Sequence, residues 1–280
     1  MVGARAFSRR PAKCEARVMK HPEGLIGWVD LSTSDVPAAK TFYTELFDWN
    51  YTDLPTPMGV DYTQFYRDGL LVAGAGPLPP DVAAAGMPSM WNSYVIVADV
   101  DAVMAKVSAA GGTVLMPGMD VMDQGRMAML ADPSGAPIGL WQPKAHQGAE
   151  VFNIPGALTW NELQTRGLAA AEPFYTEVFG WAWEAGPDPG YDIAMLASKS
   201  GEDKANAGAL TMPPGVPQDA PNFWMVYFAV TDAAVTVASA LTLGGKELYP
   251  LMTMGSMTFG GIVDPTGAVF SVASVSATED

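Results

Sequence analysis

The chain states one pattern twice. Trp28–Trp49 (WVDLSTSDVPAAKTFYTELFDW) aligns without a gap on Trp160–Trp181 (WNELQTRGLAAAEPFYTEVFGW), 132 residues further on, with 11 of 22 positions identical. Trp91–Val97 (WNSYVIV) is echoed by Trp224–Val230 (WMVYFAV). Gly111-Gly112 is echoed by Gly244-Gly245, and Asp132–Ala136 (DPSGA) by Asp264–Ala268 (DPTGA). Solenoid units recur every ~20–50 residues, so a period this long is a duplicated domain. The 280 residues accommodate two such domains, each able to bury its own core.

Each copy carries a second, fainter repeat. A β-like segment, Trp28–Thr33, leads into a helical pattern over Val36–Phe47. There Ala39, Phe42, Tyr43, Leu46 and Phe47 fall at helical spacing and Asp35 stands as N-cap. Strand-like runs follow at Asp61–Arg67 and Leu70–Gly76. Trp91–Ala98 restarts the cycle, with a helix capped by Asp99 and stopped at Gly111-Gly112. Short strands then come at Thr113–Met116, Arg126–Ala131 and Pro137–Gln142. Asp132–Gly135 is a turn, with Pro second and Gly fourth. The chain therefore reads as four βαβββ modules, each opening on a tryptophan: Trp28, Trp91, Trp160 and Trp224. The plainer reading of these four is core filling, and the other is a lining of aromatics on a concave sheet; both can hold for different members.

The expected boundaries are a basic tail over 1–23, a first domain over 24–143, a linker over 144–155, a second domain over 156–275 and a tail over 276–280. The Pro-rich stretches Pro55–Gly59, Pro77–Pro80 and Met212–Pro217 read as surface loops. The first 20 residues hold six of the 15 basic residues and no apolar stretch of the kind a secretory signal needs. They read as a disordered tail, or as sequence upstream of a start at Met19. Cys14 is the single cysteine, which excludes a disulfide framework and a multi-cysteine metal site, and points most simply to the cytoplasm. A net charge of -15 makes nucleic acid a poor partner, and no apolar run reaches the ~18 residues of a membrane helix.

Paired βαβββ modules, the Asp35-to-Phe42-Tyr43 helix and the Asp-Pro-x-Gly turn before the last strand resemble the vicinal oxygen chelate superfamily. That superfamily includes glyoxalase I, extradiol dioxygenases and bleomycin-resistance proteins. The resemblance covers about Leu25–Gln142 and Ala157–Ala273. The strings WVDL…FYTELFDW and WNEL…FYTEVFGW look like its tandem-domain, glyoxalase-like branch, whose members are labelled as hydroxylases or as accessory and self-resistance proteins of antibiotic pathways. The resemblance implies an α+β fold: two tandem domains, each a curved, barrel-like sheet of two modules with helices outside. It also implies where a metal would be held, on each first strand and each last strand. Carried over, those positions are Trp28, Trp91, Trp160 and Trp224, with Gly139 and Ser271. Indole offers no free lone pair and glycine no side chain, so five of the six cannot ligate and Ser271 alone is a poor ligand. The two histidines, His21 before the first strand and His146 in the linker, read as solvated surface residues. No metal and no cofactor is expected.

Asp30 and Glu162 stand two residues after Trp28 and Trp160, on the same strand face. They are the candidate catalytic groups: buried carboxylates that accept a ligand hydroxyl or act as a general base. The plainer reading is a carboxylate satisfied by backbone N–H groups or by Arg126. Ligand-lining candidates are Trp28, Tyr62, Trp91, Ser93, Arg126, Met129 and Trp141 in the first copy. In the second they are Trp160, Tyr191, Trp224, Met257 and Phe259. Methionine suits an adaptable binding wall, although for any one Met core filling is the plainer role. Arg126 is placed to meet a ligand oxygen, and its counterpart is Ser256, so the two pockets need not be equivalent.

Three functions fit these residues. The first is a metal-independent protein that binds an aromatic or polycyclic natural product, in self-resistance by sequestration or as an accessory to biosynthesis. The second is a glyoxalase-like lyase, hydroxylase or oxygenase with Asp30 or Glu162 as base. The third is an acidic interaction protein with vestigial pockets. The partners expected are a small aromatic ligand and a pathway enzyme, with the chain a monomer or homodimer.

Overall fold

The computed structural model describes residues 21–57, 59–197, 204–212 and 216–276. Cys14, the basic segment up to Lys20 and residues 277–280 lie outside them. The described residues form four modules in chain order. The first holds β1 (Ile26–Thr33), α1 (Val36–Phe47), β2 (Asn50–Pro55), β3 (Asp61–Arg67) and β4 (Leu70–Pro77). After a short helix, α2 (Pro80–Ala84), come β5 (Met90–Ile96), α3 (Val100–Val107), β6 (Thr113–Val121), β7 (Gly125–Ala131) and β8 (Pro137–Pro143). The second copy repeats this with β9 (Leu158–Thr165), α4 (Leu168–Phe179), β10 (Trp181–Ala185), β11 (Tyr191–Leu196) and β12 (Ala205–Thr211). It closes with β13 (Phe223–Ala229), α5 (Ala233–Thr242), β14 (Lys246–Met254), β15 (Met257–Val263) and β16 (Val269–Val275).

Each copy makes one eight-stranded mixed sheet, in the order β2-β3-β4-β1-β5-β8-β7-β6 and its equivalent β10-β11-β12-β9-β13-β16-β15-β14. Within a module the opening strand lies parallel to the last, β1 on β4 and β5 on β8. The two opening strands join the modules antiparallel, with Asp30 opposite Asn92. Capping is as the sequence requires: Asp35 accepts from the Ala38 amide at 2.9 Å, and Asp99 from the Asp101 and Ala102 amides. Strand β2 and helix α2 were not legible in the sequence. Strand β2 is mostly exposed and lacks an alternating apolar face, and α2 is a single turn after the prolines expected to form a loop.

The helices lie outside each cup, and those outer faces meet each other. One core cluster joins Phe42, Tyr43 and Phe47 of α1 to Phe228, Val237 and Phe270 of the second copy. A matching one joins Val95, Val103 and Leu130 to Phe174, Tyr175 and Trp181. Helix α1 therefore packs beside α5, and α3 beside α4. The repeated motifs are the parts of this interface. Tyr43 donates to Asp264 of the second copy's turn at 2.9 Å and accepts from the Trp91 indole at 2.9 Å. Tyr175 donates to Asp132 of the first copy's turn at 3.0 Å and accepts from Trp224 at 3.0 Å. Each turn aspartate also accepts the amides two and four residues on, which fixes the turn that presents it.

Two cups and their carboxyl groups

The side of each sheet turned away from the helices is a cup lined by aromatic residues. Strand alternation sorts the four opening tryptophans: Trp28 and Trp160 point into the cups, whereas Trp91 and Trp224 point the other way, into the interface between copies. Ser93 also faces that interface, where it donates to Asn161 at 2.7 Å. Of the expected lining residues, Trp91, Ser93 and Trp224 are thus structural groups between the sheets. Arg126 leaves the cup as well. It shares a face with buried Ala128 and Leu130, and its guanidinium binds Asp101 of α3 at 2.9 Å. It satisfies no carboxylate in the cup and meets no ligand there.

In cup 1 the expected residues Trp28, Asp30, Tyr62, Met129 and Trp141 do converge. Asp30 accepts from Asn92 at 3.0 Å, from Tyr62 at 3.2 Å and from Tyr94 at 3.2 Å. The Trp28 indole supports the Tyr62 hydroxyl in turn. Burial pushes the Asp30 carboxyl above the usual range, against the three hydrogen bonds that favour its charged form. Burial beside that carboxyl holds Tyr62 and Tyr94 well above the ordinary phenol value, so both remain O–H donors.

Cup 2 repeats the scheme around Glu162, which accepts from Tyr227 at 3.0 Å and from Gln164 and Tyr191. Trp160 donates to Tyr191 at 3.0 Å. Glu162 is likewise pushed up by burial. Two glycines make the arrangement possible. A Cβ on Gly74 would overlap the Tyr62 hydroxyl, and one on Gly208 would overlap that of Tyr191. Phe259 meets Tyr249 edge-on, Tyr249 bonds Ser271 at 2.6 Å, and Met257 stands exposed at the rim.

The cups differ in what covers them. The linker after β8 folds back over cup 1, where the Ala149 amide bonds the Gly27 carbonyl at 2.8 Å and the Glu150 amide bonds that of Leu71 at 2.7 Å. This carries the His146 ring edge-on to Trp28 at 4.4 Å and beside Trp141 at 5.2 Å, with the Trp141 indole bonded to the His146 carbonyl. The expectation of a solvated His146 is therefore corrected: it is half-buried with its Nε2 shielded from water, and burial together with nearby His21 lowers its pKa to about 4. His21 is likewise half-buried, bonded to the Ala149 carbonyl at 2.8 Å. Trp28 is only 2% exposed, while its counterpart Trp160 is half-buried. Trp141 has Ala273 as its counterpart, and the last described residue, Ser276, bonds Ser256 rather than the cup.

The donor set does not fit the metal that the fold can hold. Asp30 and Glu162 are each already engaged by three neutral donors, and a Tyr ring packs over a glycine in each cup, Tyr94 on Gly139 and Tyr249 on Gly261. Among the described residues no three His, Cys, Asp or Glu side chains converge. Also among them, no helix is long and apolar enough to cross a membrane.

The sequence reading missed Tyr94, Asn92, Tyr227 and Gln164. The signal for two of them lay in the repeat itself, because Tyr94 and Tyr227 are the shared tyrosine of the WNSYVIV and WMVYFAV strings.

Comparison with known proteins agrees with this architecture. The family model for the Glyoxalase/Bleomycin resistance protein/Dioxygenase superfamily matches residues 25–140. A Mycobacterium tuberculosis protein named "Putative glyoxylase CFP32" is 43% identical over 260 residues, covering 90% of this chain and 95% of the relative. "Anthracycline biosynthesis protein DnrV" of Streptomyces peucetius is 37% identical over 268 residues, covering 90% and 94%. Among solved structures, the Mn(II)-bound glyoxalase from Novosphingobium aromaticivorans superposes with a TM-score of 0.61 at 15% identity, over 90% of this chain and 83% of that one. The 2,3-dioxygenase LapB from Pseudomonas sp. KL28 does so with 0.61 at 13%, over 91% and 94%. Sequence identity across nearly the whole length, on a framework of paired βαβββ modules, places the chain in the glyoxalase/bleomycin resistance/dioxygenase superfamily.

Proposed function

We propose that the protein is a metal-independent binder of a small aromatic or polycyclic natural product, acting in the cytoplasm in self-resistance by sequestration or as an accessory to a biosynthetic enzyme. The observation that carries this reading is the cup itself. A carboxyl group sits at the floor of an aromatic wall, bonded by phenols and amides, and among the described residues no three metal-donor side chains converge there. Such a cup suits a flat ligand that stacks on indole and phenol rings and offers a hydroxyl or carbonyl to the floor. The relatives named for anthracycline biosynthesis support a polycyclic ligand.

A panel of aromatic polyketides, anthracyclines included, titrated against tryptophan fluorescence and melting temperature tests this. Binding stabilises the folded state by mass action. A panel that leaves both the spectrum and the melting temperature unmoved overturns the proposal. One observation favours a second reading: a buried carboxyl with a raised pKa is the kind of group that general acid–base catalysis uses. In that case Glu162→Gln abolishes a turnover that wild type shows, rather than weakening binding alone.

A further inference from the structure

The duplication builds one outer groove twice, and the two grooves are lined differently. Between α3 and α4 the lining includes Glu23, Lys106 and Glu177, so one cation and two carboxylates share it. Between α1 and α5 it includes Glu45, Val235, Ala238, Ser239 and Thr242. Glu45 and Glu177 hold the same position of the repeat. Counted from the matching N-caps Asp99 and Asp232, however, Ser239 stands where Lys106 stands, and Ala234 where Asp101 stands. On α3, Asp101 binds Arg126 at 2.9 Å. The α5 segment Ala233–Gly245 holds no charged residue, in a chain with 15 basic and 30 acidic ones. A surface helix ordinarily turns charged and polar side chains outward. Helix α5 turns out Val235, 62% exposed, and Leu241, 44% exposed. Leu251 of β14, 40% exposed, continues the same face, because a Cβ on Gly260 would meet both Leu251 and Val237 of α5.

We infer that the α5 face, with Leu251 of β14 and the groove beside α1, docks a second copy of this chain in a twofold-symmetric dimer. The inference is independent of what the cups bind. Charge selects the occupant. Each chain carries a net charge of -15, so two copies meeting through ordinary surface bring like charges together. The α5 face avoids this repulsion, and a second copy presents the same uncharged face in return. A basic partner gains little here, because among the described residues lining the groove only Glu45 is charged. A twofold interface also requires a face complementary to itself. Val235 projects beside a groove lined by the small side chains of Ala238, Ser239 and Thr242, which gives each copy a ridge and a receiving groove. A helix of ten residues is about 15 Å long, which places the buried area at the low end of specific interfaces and the dissociation constant in the micromolar range.

The test is sedimentation velocity of the full chain from about 1 to about 200 μM, at about 50 and about 500 mM NaCl. The expected result is a shift from the mass of one chain to that of two as concentration rises. Association should be tighter at the higher salt, because salt screens the repulsion between two acidic chains and no ion pair holds the interface. Val235→Glu and Thr242→Glu, both at exposed positions, should each weaken the dimer by about tenfold or more. Leu115→Glu, at an exposed apolar residue of the edge strand β6, should leave it unchanged. Circular dichroism melts establish that the variants fold, and the wild-type salt dependence needs no variant. A chain that stays monomeric throughout overturns the inference, whether its groove is empty or filled by another segment. So does association that weakens with salt, a dimer untouched in both folded α5 variants, or one lost equally in Leu115→Glu. None of these results bears on the cups, and an aromatic panel that fails to bind leaves the dimer standing.

Discussion

Tyr43 of the first helix donates its hydroxyl to Asp264 of the second copy's last turn, 221 residues away and 2.9 Å distant. Tyr175 and Asp132 make the same bond in the opposite direction at 3.0 Å. The two motifs that the repeat keeps most plainly, the Phe-Tyr helix and the Asp-Pro-x-Gly turn, are therefore halves of one reciprocal clasp. Each copy supplies the tyrosine for one clasp and the aspartate for the other.

Removing one hydroxyl should expose this directly. Tyr43→Phe leaves the Asp264 carboxylate short of a buried donor and the Trp91 indole N–H without its acceptor. A lost hydrogen bond to a charged group costs about 1.5–3 kcal/mol. Urea denaturation of Tyr43→Phe and of Tyr175→Phe should show losses of that order and of similar size. A loss below about 0.5 kcal/mol in both would mean that the clasps contribute nothing to holding the copies together.

The glycines beneath the cup tyrosines offer a comparison within a single strand. A Cβ at Gly74 collides with the Tyr62 hydroxyl, whereas one at Gly76 makes only ordinary contact with the Tyr62 ring. Gly74→Ala should cost about 1–3 kcal/mol by overpacking and push Tyr62 away from Asp30, and Gly76→Ala should be nearly neutral. Equal melting temperatures for the two variants would contradict the close approach.

Acid should act on cup 1 through His146. Its pKa is lowered from 6.5 to about 4 by burial and by His21, so the unfolded chain binds this proton first. The stability due to the neutral imidazole is complete above the unfolded value and is lost as pH falls through 6.5 towards 4. The full shift corresponds to about 3 kcal/mol. Chemical denaturation at pH 7.5 and pH 4.5 should therefore show a larger loss in wild type than in His146→Gln, by on the order of 2–3 kcal/mol. Parallel losses in the two proteins would place His146 in water.

Glu162 works with the opposite sign. Burial raises its folded-state pKa above the ordinary glutamate value of 4.5, so the folded chain holds this proton more tightly than the unfolded one. Its contribution is fully present below the unfolded value and declines as pH rises through the folded value. Glu162→Gln removes that decline. The stability of the variant relative to wild type should rise with pH over the interval just above 4.5 and then level off. A difference independent of pH would show a carboxyl group that does not titrate differently on folding.

Much of the framework was legible because its signals are local. Helix α1 has its bounds at Val36 and Phe47 in both readings, since Asp35 caps one end and the apolar spacing runs up to the other. Strand β3 likewise agrees at Asp61 and Arg67. The carboxyl pair at Asp30 and Glu162 was legible because residues two apart on a strand share a face with Trp28 and Trp160. Arg126 was misplaced for a related reason. Alternation put it opposite Met127, but nothing local says which of the two faces α3 and which faces the cup. Asp101, which decides it, lies 25 residues earlier.

The sequence by itself determined two copies of two modules, the helices with their caps, the turns with their glycines, and one acid per cup, because each of these depends on residues within a few positions of one another. Only the tertiary structure decided that Trp91 and Trp224 hold the copies together while Trp28 and Trp160 line the cups. It also decided that the linker carries His146 back against Trp28 of the first cup. Those outcomes depend on which strand faces meet and on where a linker folds back. Such choices are set by burying apolar faces against partners up to 221 residues away, and no local pattern encodes them.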